Sequence, residues 1–192
     1  MMRVTLGTVF LLAACATGSS EVRVRPEAWA QPVIGAGLDN WHRVSADLYR
    51  CGQPSDDDMR ALAGFGVASV VNLRELHSDR DEIEGSGLVL IEVPLDTGGM
   101  DYADLVRALA AVVAAPKPVA VHCWRGSDRT GAVCAAWRVA VDGWTPQAAL
   151  DEMVAGGFGH SAWYGNLREL IGNLDAERLR ADLAAAVAGA SR

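Results

Sequence analysis

An α/β domain, with a central sheet covered by helices on both faces, is the fold class this sequence predicts. Short runs rich in apolar and β-branched residues alternate with stretches of helical spacing, and capping or stop signals fall between the two kinds of segment. Residues 56–65 read as a helix: Ser55 stands at the N-cap, three aspartates occupy the first turn where the dipole favours negative charge, and Gly64 and Gly66 mark the exit. Residues 68–73 and 88–95 are β-rich runs. Residues 101–115 place apolar side chains at helical spacing behind a capping Asp101, until Pro116 and Pro118 stop the helix. Val119, Ala120 and Val121 form a buried strand running into His122, and residues 130–141 form the next helix. Thr145 and Pro146 cap and begin a helix to Ala155, and helical patterns over 161–173 and 176–188 close the chain.

Composition fits one globular domain. The 192 residues are 51% hydrophobic and 21% charged, enough for one core, and the net charge of −7 argues against a nucleic-acid surface. The first residues carry a separate message. Met1, Met2 and Arg3 give a positive start, residues 4–14 are apolar but too short to span a bilayer, and Leu12-Ala13-Ala14-Cys15 resembles the lipobox of bacterial lipoprotein precursors. That resemblance implies a signal peptide over 1–14, lipidation at Cys15, and a cell-envelope protein held to the membrane by its lipid and facing the periplasm. An ordinary signal peptide that ends in cysteine is the alternative. Residues 15–38, with scattered Pro and Gly and no sustained period, read as a tether, which leaves the folded domain at 39–192.

The stretch from His122 to Gly131 sets Cys123 and Arg129 at the two ends of a short loop between strand and helix. Backbone N–H groups converge at such a helix N-terminus, and a cradle for an anion also favours the thiolate form of a cysteine at its floor. Gly126 lets the backbone turn inward where a side chain would clash. The spacing matches the signature H-C-x-x-G-x-x-R-[ST] at every fixed position. By it the sequence resembles the cysteine-dependent tyrosine and dual-specificity phosphatases. Leu48-Tyr49-Arg50-Cys51-Gly52-Gln53-Pro54-Ser55 and Val70-Val71-Asn72-Leu73-Arg74 resemble the opening elements of the bacterial dual-specificity-like members, so the likeness spans about 39–174. A rhodanese-like or arsenate-reductase-like loop accounts for the cysteine and arginine but not for this upstream match.

The resemblance implies a protein tyrosine phosphatase-like fold, a mixed and largely parallel sheet of four to five strands. It also implies phosphate-monoester hydrolysis through a cysteinyl-phosphate. Cys123 attacks phosphorus, the planar fork of Arg129 holds two phosphate oxygens, and N–H groups of Trp124, Arg125, Gly126, Ser127 and Asp128 contact the rest. The Thr130 hydroxyl hydrogen-bonds the thiolate, and His122 orders the loop. A general acid is needed for the leaving oxygen. Asp96 is the first choice, following a strand and lying beside Gly98 and Gly99; Asp101 is a rival better suited to capping, and Asp128 another, in the cradle itself. Arg50 and Gln53 are candidates for the pocket lining.

Cys51 stands where the resembling segment carries serine, so it is either a redox partner for Cys123 or a small buried side chain. Cys134 reads as a buried apolar residue. None of His42, His77, His122 and His160 shows cysteines or carboxylates at metal-ligand spacing, so no metal and no cofactor is expected. The expected partner is a phosphorylated protein or a small phosphate ester, with no nucleic acid. A catalytically silent phosphate-binding module and a phosphatase of lipid or small-molecule phosphates are the alternatives.

Overall fold

The computed structural model describes residues 25–34 and 37–190. Six strands form one sheet: β1 (Gln31–Pro32), β2 (His42–Arg43), β3 (Leu48–Cys51), β4 (Ser69–Arg74), β5 (Val89–Leu95) and β6 (Val119–His122), in the order β1-β2-β3-β6-β4-β5. The first two pairings are antiparallel and the remaining three are parallel, so the sheet is mixed and largely parallel as expected. The strands beyond the four to five anticipated are the two-residue β1 and β2, too short to leave a period in the sequence.

Six helices complete the described fold: α1 (Asp56–Gly64), α2 (Tyr102–Ala114), α3 (Asp128–Ala140), α4 (Pro146–Ala155), α5 (Gly165–Gly172) and α6 (Ala176–Ala190). Ser55 and Asp58 form a capping box on α1, Asp101 and Asp104 form one on α2, and Thr145 caps α4 ahead of Pro146. Alternate strand residues feed two cores. Val70 and Ala120 pack with Met59 and Leu62 of α1 on one face, while Val71, Val119 and Val121 join side chains of α2 through α6 on the other. Helix α3 lies inside that thicker layer, with residues 130–139 all buried.

Arg138 and Glu152 tie α3 to α4 through two buried contacts, Nε to Oε2 at 2.8 Å and Nη2 to Oε1 at 2.9 Å. The same Oε1 accepts the Ala30 N–H at 2.5 Å, and the Ala28 carbonyl accepts from Arg138 Nη2 at 3.2 Å. This corrects the domain start at Asp39. The packed domain includes residues 28–32, because their backbone polar groups are satisfied by the buried ion pair and by pairing with β2. Residues 1–24, including Cys15, lie outside the described part of the chain. Glu152→Gln leaves part of the Arg138 charge uncompensated in the interior and is expected to cost about 3 kcal/mol, read as a shift of the denaturant midpoint at unchanged slope.

The parallel block decides where chemistry can happen. Strands β3, β6, β4 and β5 all point the same way, so the connections after them gather at one edge of the sheet: Gly52 and Gln53, Cys123 to Ser127, the 75–88 segment, and Asp96 to Gly99.

Candidate active site

Strand β6 ends at His122 and α3 starts at Asp128, so the five residues between them wrap around one point with Cys123 at the base, 3% exposed. The loop's outer side is fully occupied. The Trp124 carbonyl accepts from Gln53 N–H at 3.0 Å, the Arg125 carbonyl from Asn40 Nδ2 at 3.0 Å, and the Gly126 carbonyl from Arg50 Nη2 at 2.6 Å. In a trans peptide the N–H points opposite to the preceding carbonyl, so the N–H groups of Arg125, Gly126 and Ser127 turn to the inside of the loop. Ser127, at the N-cap of α3, makes no side-chain capping bond, and its hydroxyl donates instead to the Phe158 carbonyl at 2.7 Å. The first N–H groups of α3 are thus left to the cradle.

Gly126 has φ of 67°, and a Cβ there would lie 2.2 Å from the Cys51 carbonyl oxygen, so both conformation and space demand glycine. Arg50 is only 1% exposed and lies beneath the loop, its guanidinium stacked 3.7 Å from the Phe158 ring centre. This corrects its reading as a pocket-lining residue: it braces the cradle from behind. Gln53 does reach the surface beside Trp124, in a cleft it shares with Asn40 and Phe158.

Arg129 follows on the first turn of α3. Its Nη1 donates to the carbonyls of Leu95 at 3.1 Å and Leu73 at 3.4 Å, at the ends of β5 and β4, which aims the fork across the loop mouth. A cleft of about 440 Å³ opens over Cys123, bounded by Trp124, Arg125, Asp128 and Arg129 and by Thr97, Ser161 and Tyr164. A neighbouring cleft of about 480 Å³ shares Trp124, Arg129, Thr97 and Tyr164 and adds Asp96 and Arg74. Trp124 is exposed, with the Arg74 guanidinium 4.4 Å above its ring.

The two acid candidates of the site differ in their freedom. Asp96 is exposed at the cleft, its oxygens accepting the N–H groups of Gly98 and Gly99, each at 3.0 Å. Asp128 is braced: its Oδ1 accepts the Ser161 N–H at 2.8 Å and lies 3.0 Å from His160 Nδ1. Burial raises the Asp128 carboxyl, but His160, the Ser161 N–H and Arg129 together hold it below the usual carboxylate range. Asp101 caps α2.

These features coincide with one family of known proteins. The family model described as "Polymorphic toxin system, DSP-PTPase phosphatase" matches residues 44–143, just over half of the chain. The dual specificity protein phosphatase TpbA of Pseudomonas aeruginosa is 34% identical over 152 residues, 78% of this chain and 68% of that protein. This chain belongs to the dual-specificity phosphatases. It is a cysteine-dependent phosphatase. The crystal structure of P. aeruginosa TpbA superimposes with a TM-score of 0.75 at 32% identity, covering 84% of this chain and 99% of that one. The catalytic core of SIW14 from S. cerevisiae aligns with a TM-score of 0.65 at 19% identity, over 77% of this chain and 93% of the other, which reflects a shared fold.

In this phosphatase the fold brings Cys123, Trp124, Arg125, Asp128 and Arg129 to one cleft and Asp96 to the adjoining one. Other readings change. Thr130 is fully buried and its hydroxyl has no hydrogen-bond partner among the described residues, so the bond to the Cys123 sulfur implied by the resemblance is not made in this structure. Cys51 and Cys123 are both free; Cys51 packs with Met59 and Leu62 of α1, and Cys123 joins the larger core. Burial first, and then the nearby Cys123 and acidic groups, push the Cys51 thiol well up. Cys134 is buried too, its thiol pushed up to about 11 by desolvation.

The histidines are not without carboxylates. His122 Nε2 lies 2.6 Å from Asp79 Oδ2, His77 Nε2 lies 3.3 Å from Asp79 and 3.2 Å from Glu82, and His160 meets Asp128. His122 and Asp79 are 43 positions apart, and no spacing rule reaches that far. His77, Asp79 and Glu82 are different: they are close in sequence, and their ligand atoms lie within 4.8 Å of one another, which corrects the reading that no histidine has carboxylates at ligand spacing. Tyr164, Ser161 and Thr97 also border the clefts without a sequence signal, since only packing carries them to the loop.

Proposed function

We propose that this phosphatase cleaves phosphotyrosine-type esters, with Cys123 as nucleophile, Arg129 as the phosphate clamp and Asp96 as general acid. The loop whose carbonyls all turn outward and whose far end carries Arg129 is the observation that supports this reading most directly. The Cys123 thiolate attacks phosphorus in line, forming the S–P bond as the P–O bond to the tyrosyl oxygen breaks, and Asp96 gives that oxygen its proton. Water then attacks the phosphocysteine, Asp96 takes the water's proton, and Cys123 leaves as thiolate. Arg129 uses Nη1 for the Leu73 and Leu95 carbonyls, which leaves Nε and Nη2 for two phosphate oxygens. The inward N–H groups hold the remaining charge in a preorganised cage.

Support for an aromatic substrate comes from Trp124 and Tyr164 on the cleft walls and from TpbA, a cysteine-to-serine variant of which was crystallised with phosphotyrosine. Residues 25–192 are expected to hydrolyse a phosphotyrosine peptide with a chelator present and to be inhibited by vanadate. Preference for a lipid or a small non-aromatic phosphate ester in a side-by-side assay would move the substrate class.

The reading also includes an envelope location, with Cys15 lipidated and the catalytic domain facing the periplasm, supported by the Leu12 to Cys15 motif. Metabolic labelling with a fatty-acid analogue is expected to mark the wild-type precursor and to be lost in Cys15→Ala. Label that survives the substitution would remove the lipid anchor.

A further inference from the structure

Asp79 lies in the connection between β4 and β5 with its side chain wholly buried, and the chemistry described above makes no use of it. Its Oδ2 is 2.6 Å from His122 Nε2 and its Oδ1 accepts from Gln53 Nε2 at 2.8 Å, so both carboxylate oxygens are engaged at the back of the loop. His122 is itself fully buried, and its other ring nitrogen, Nδ1, lies 3.3 Å from the Cys123 carbonyl oxygen. Two acceptors therefore face one imidazole. A carbonyl accepts only, and so does an ionised carboxylate, so the arrangement is satisfied in full only when both ring nitrogens carry hydrogen. Burial alone would raise the Asp79 carboxyl, but the bonds from His122 and Gln53 and the nearby His77 bring it below the usual carboxylate range.

We propose that Asp79 is a positioning residue of this phosphatase: it holds His122 with Nε2–H on the carboxylate and Nδ1–H on the Cys123 carbonyl. This rests on the reading of Cys123 as nucleophile. The bond to the carbonyl orients the peptide between Cys123 and Trp124. One end of that peptide is the nucleophile's backbone and the other is the first N–H of the cradle. With the carboxylate removed, a neutral imidazole has a single hydrogen for two neighbours, and the loop base loses its fixed geometry.

Other groups surround the pair. His77 and Glu82 belong to the same connection, Arg74 ends β4, Gln53 follows β3, and the Cys51 thiol and Asp58 approach from β3 and α1. Of these, His77 is the other histidine that reaches Asp79, 3.3 Å from its carboxylate, so it serves as the control.

Asp79→Asn matches the shape and removes the charge. Its kcat/KM toward an aryl phosphate is expected to fall about tenfold at neutral pH, through kcat with KM little changed, because the loop base is no longer held while Arg129 still binds the phosphate. In the His77→Gln background Asp79→Asn should cause the same loss of kcat, and in His122→Gln it should add no further loss. A folded Asp79→Asn protein with the wild-type kcat would overturn the proposal. Should that variant not fold, ¹⁵N-histidine spectra of the wild type decide: two protonated ring nitrogens on His122 at neutral pH support the assignment, and one overturns it. Loss of the nucleophile reading looks different, since it shows as activity remaining in Cys123→Ser while the His122 spectrum is unchanged.

Discussion

Cys123→Ser is expected to abolish turnover of an aryl phosphate by several orders of magnitude while leaving oxyanion binding intact. The asymmetry follows from what each part of the loop does. A serine hydroxyl stays protonated at neutral pH and supplies no nucleophile of comparable strength, so the covalent step is lost. The cradle survives, because its shape comes from the outward bonds of the Trp124, Arg125 and Gly126 carbonyls to Gln53, Asn40 and Arg50, none of which involves the sulfur. Vanadate or phosphate should still protect the variant against thermal unfolding by mass action. Rapid-quench trapping of a phosphorylated wild-type enzyme, absent from the variant, locates the covalent step at this residue. Activity retained in Cys123→Ser would refute the mechanism, and loss of both activity and anion protection would mean that the substitution has collapsed the loop.

Asp96→Asn is expected to lower kcat by about 10²–10³ for an ester with a poor leaving group, and by much less for an activated aryl ester, within the usual range for a general acid. Leaving-group dependence carries the argument. Asp96 also accepts from Gly98 and Gly99, so a merely structural loss would slow every substrate alike. Asparagine keeps one carbonyl acceptor for that turn while removing the transferable proton. Asp128→Asn supplies the comparison: with Oδ1 committed to the Ser161 N–H and beside His160, its expected effect is a smaller loss that does not depend on the leaving group. A steeper leaving-group response in Asp128→Asn than in Asp96→Asn would transfer the acid to the cradle.

Local signals carried most of the fold. Ser55, Asp101 and Thr145 announce helix starts because a capping side chain acts within three residues of itself, and the α1, α2 and α4 caps form as those residue types dictate. The pairing of β1 with β2 was not legible. Two residues make no period, and Ala30 is held by Glu152, which is 122 positions away. Arg50 gives the same lesson from the other direction. In the sequence it is one arginine in an extended segment beside a pocket; in the fold it is buried under the loop against Phe158, because β3 pairs with β6 and the 157–159 turn closes over it.

What the sequence by itself determined is the loop: a cysteine, a glycine and an arginine at fixed offsets between an apolar strand and a helix, chemistry that is local because seven consecutive residues carry it. Tertiary structure alone decided what stands around it. The parallel register of β3, β6, β4 and β5 brings four connections to one edge, ties Arg129 to the ends of β4 and β5, and sets Asp96 at the rim. It also buries Asp79 against His122. Burial and hydrogen-bond partners of a side chain depend on residues far away in the chain, and no periodicity or spacing within one segment encodes them.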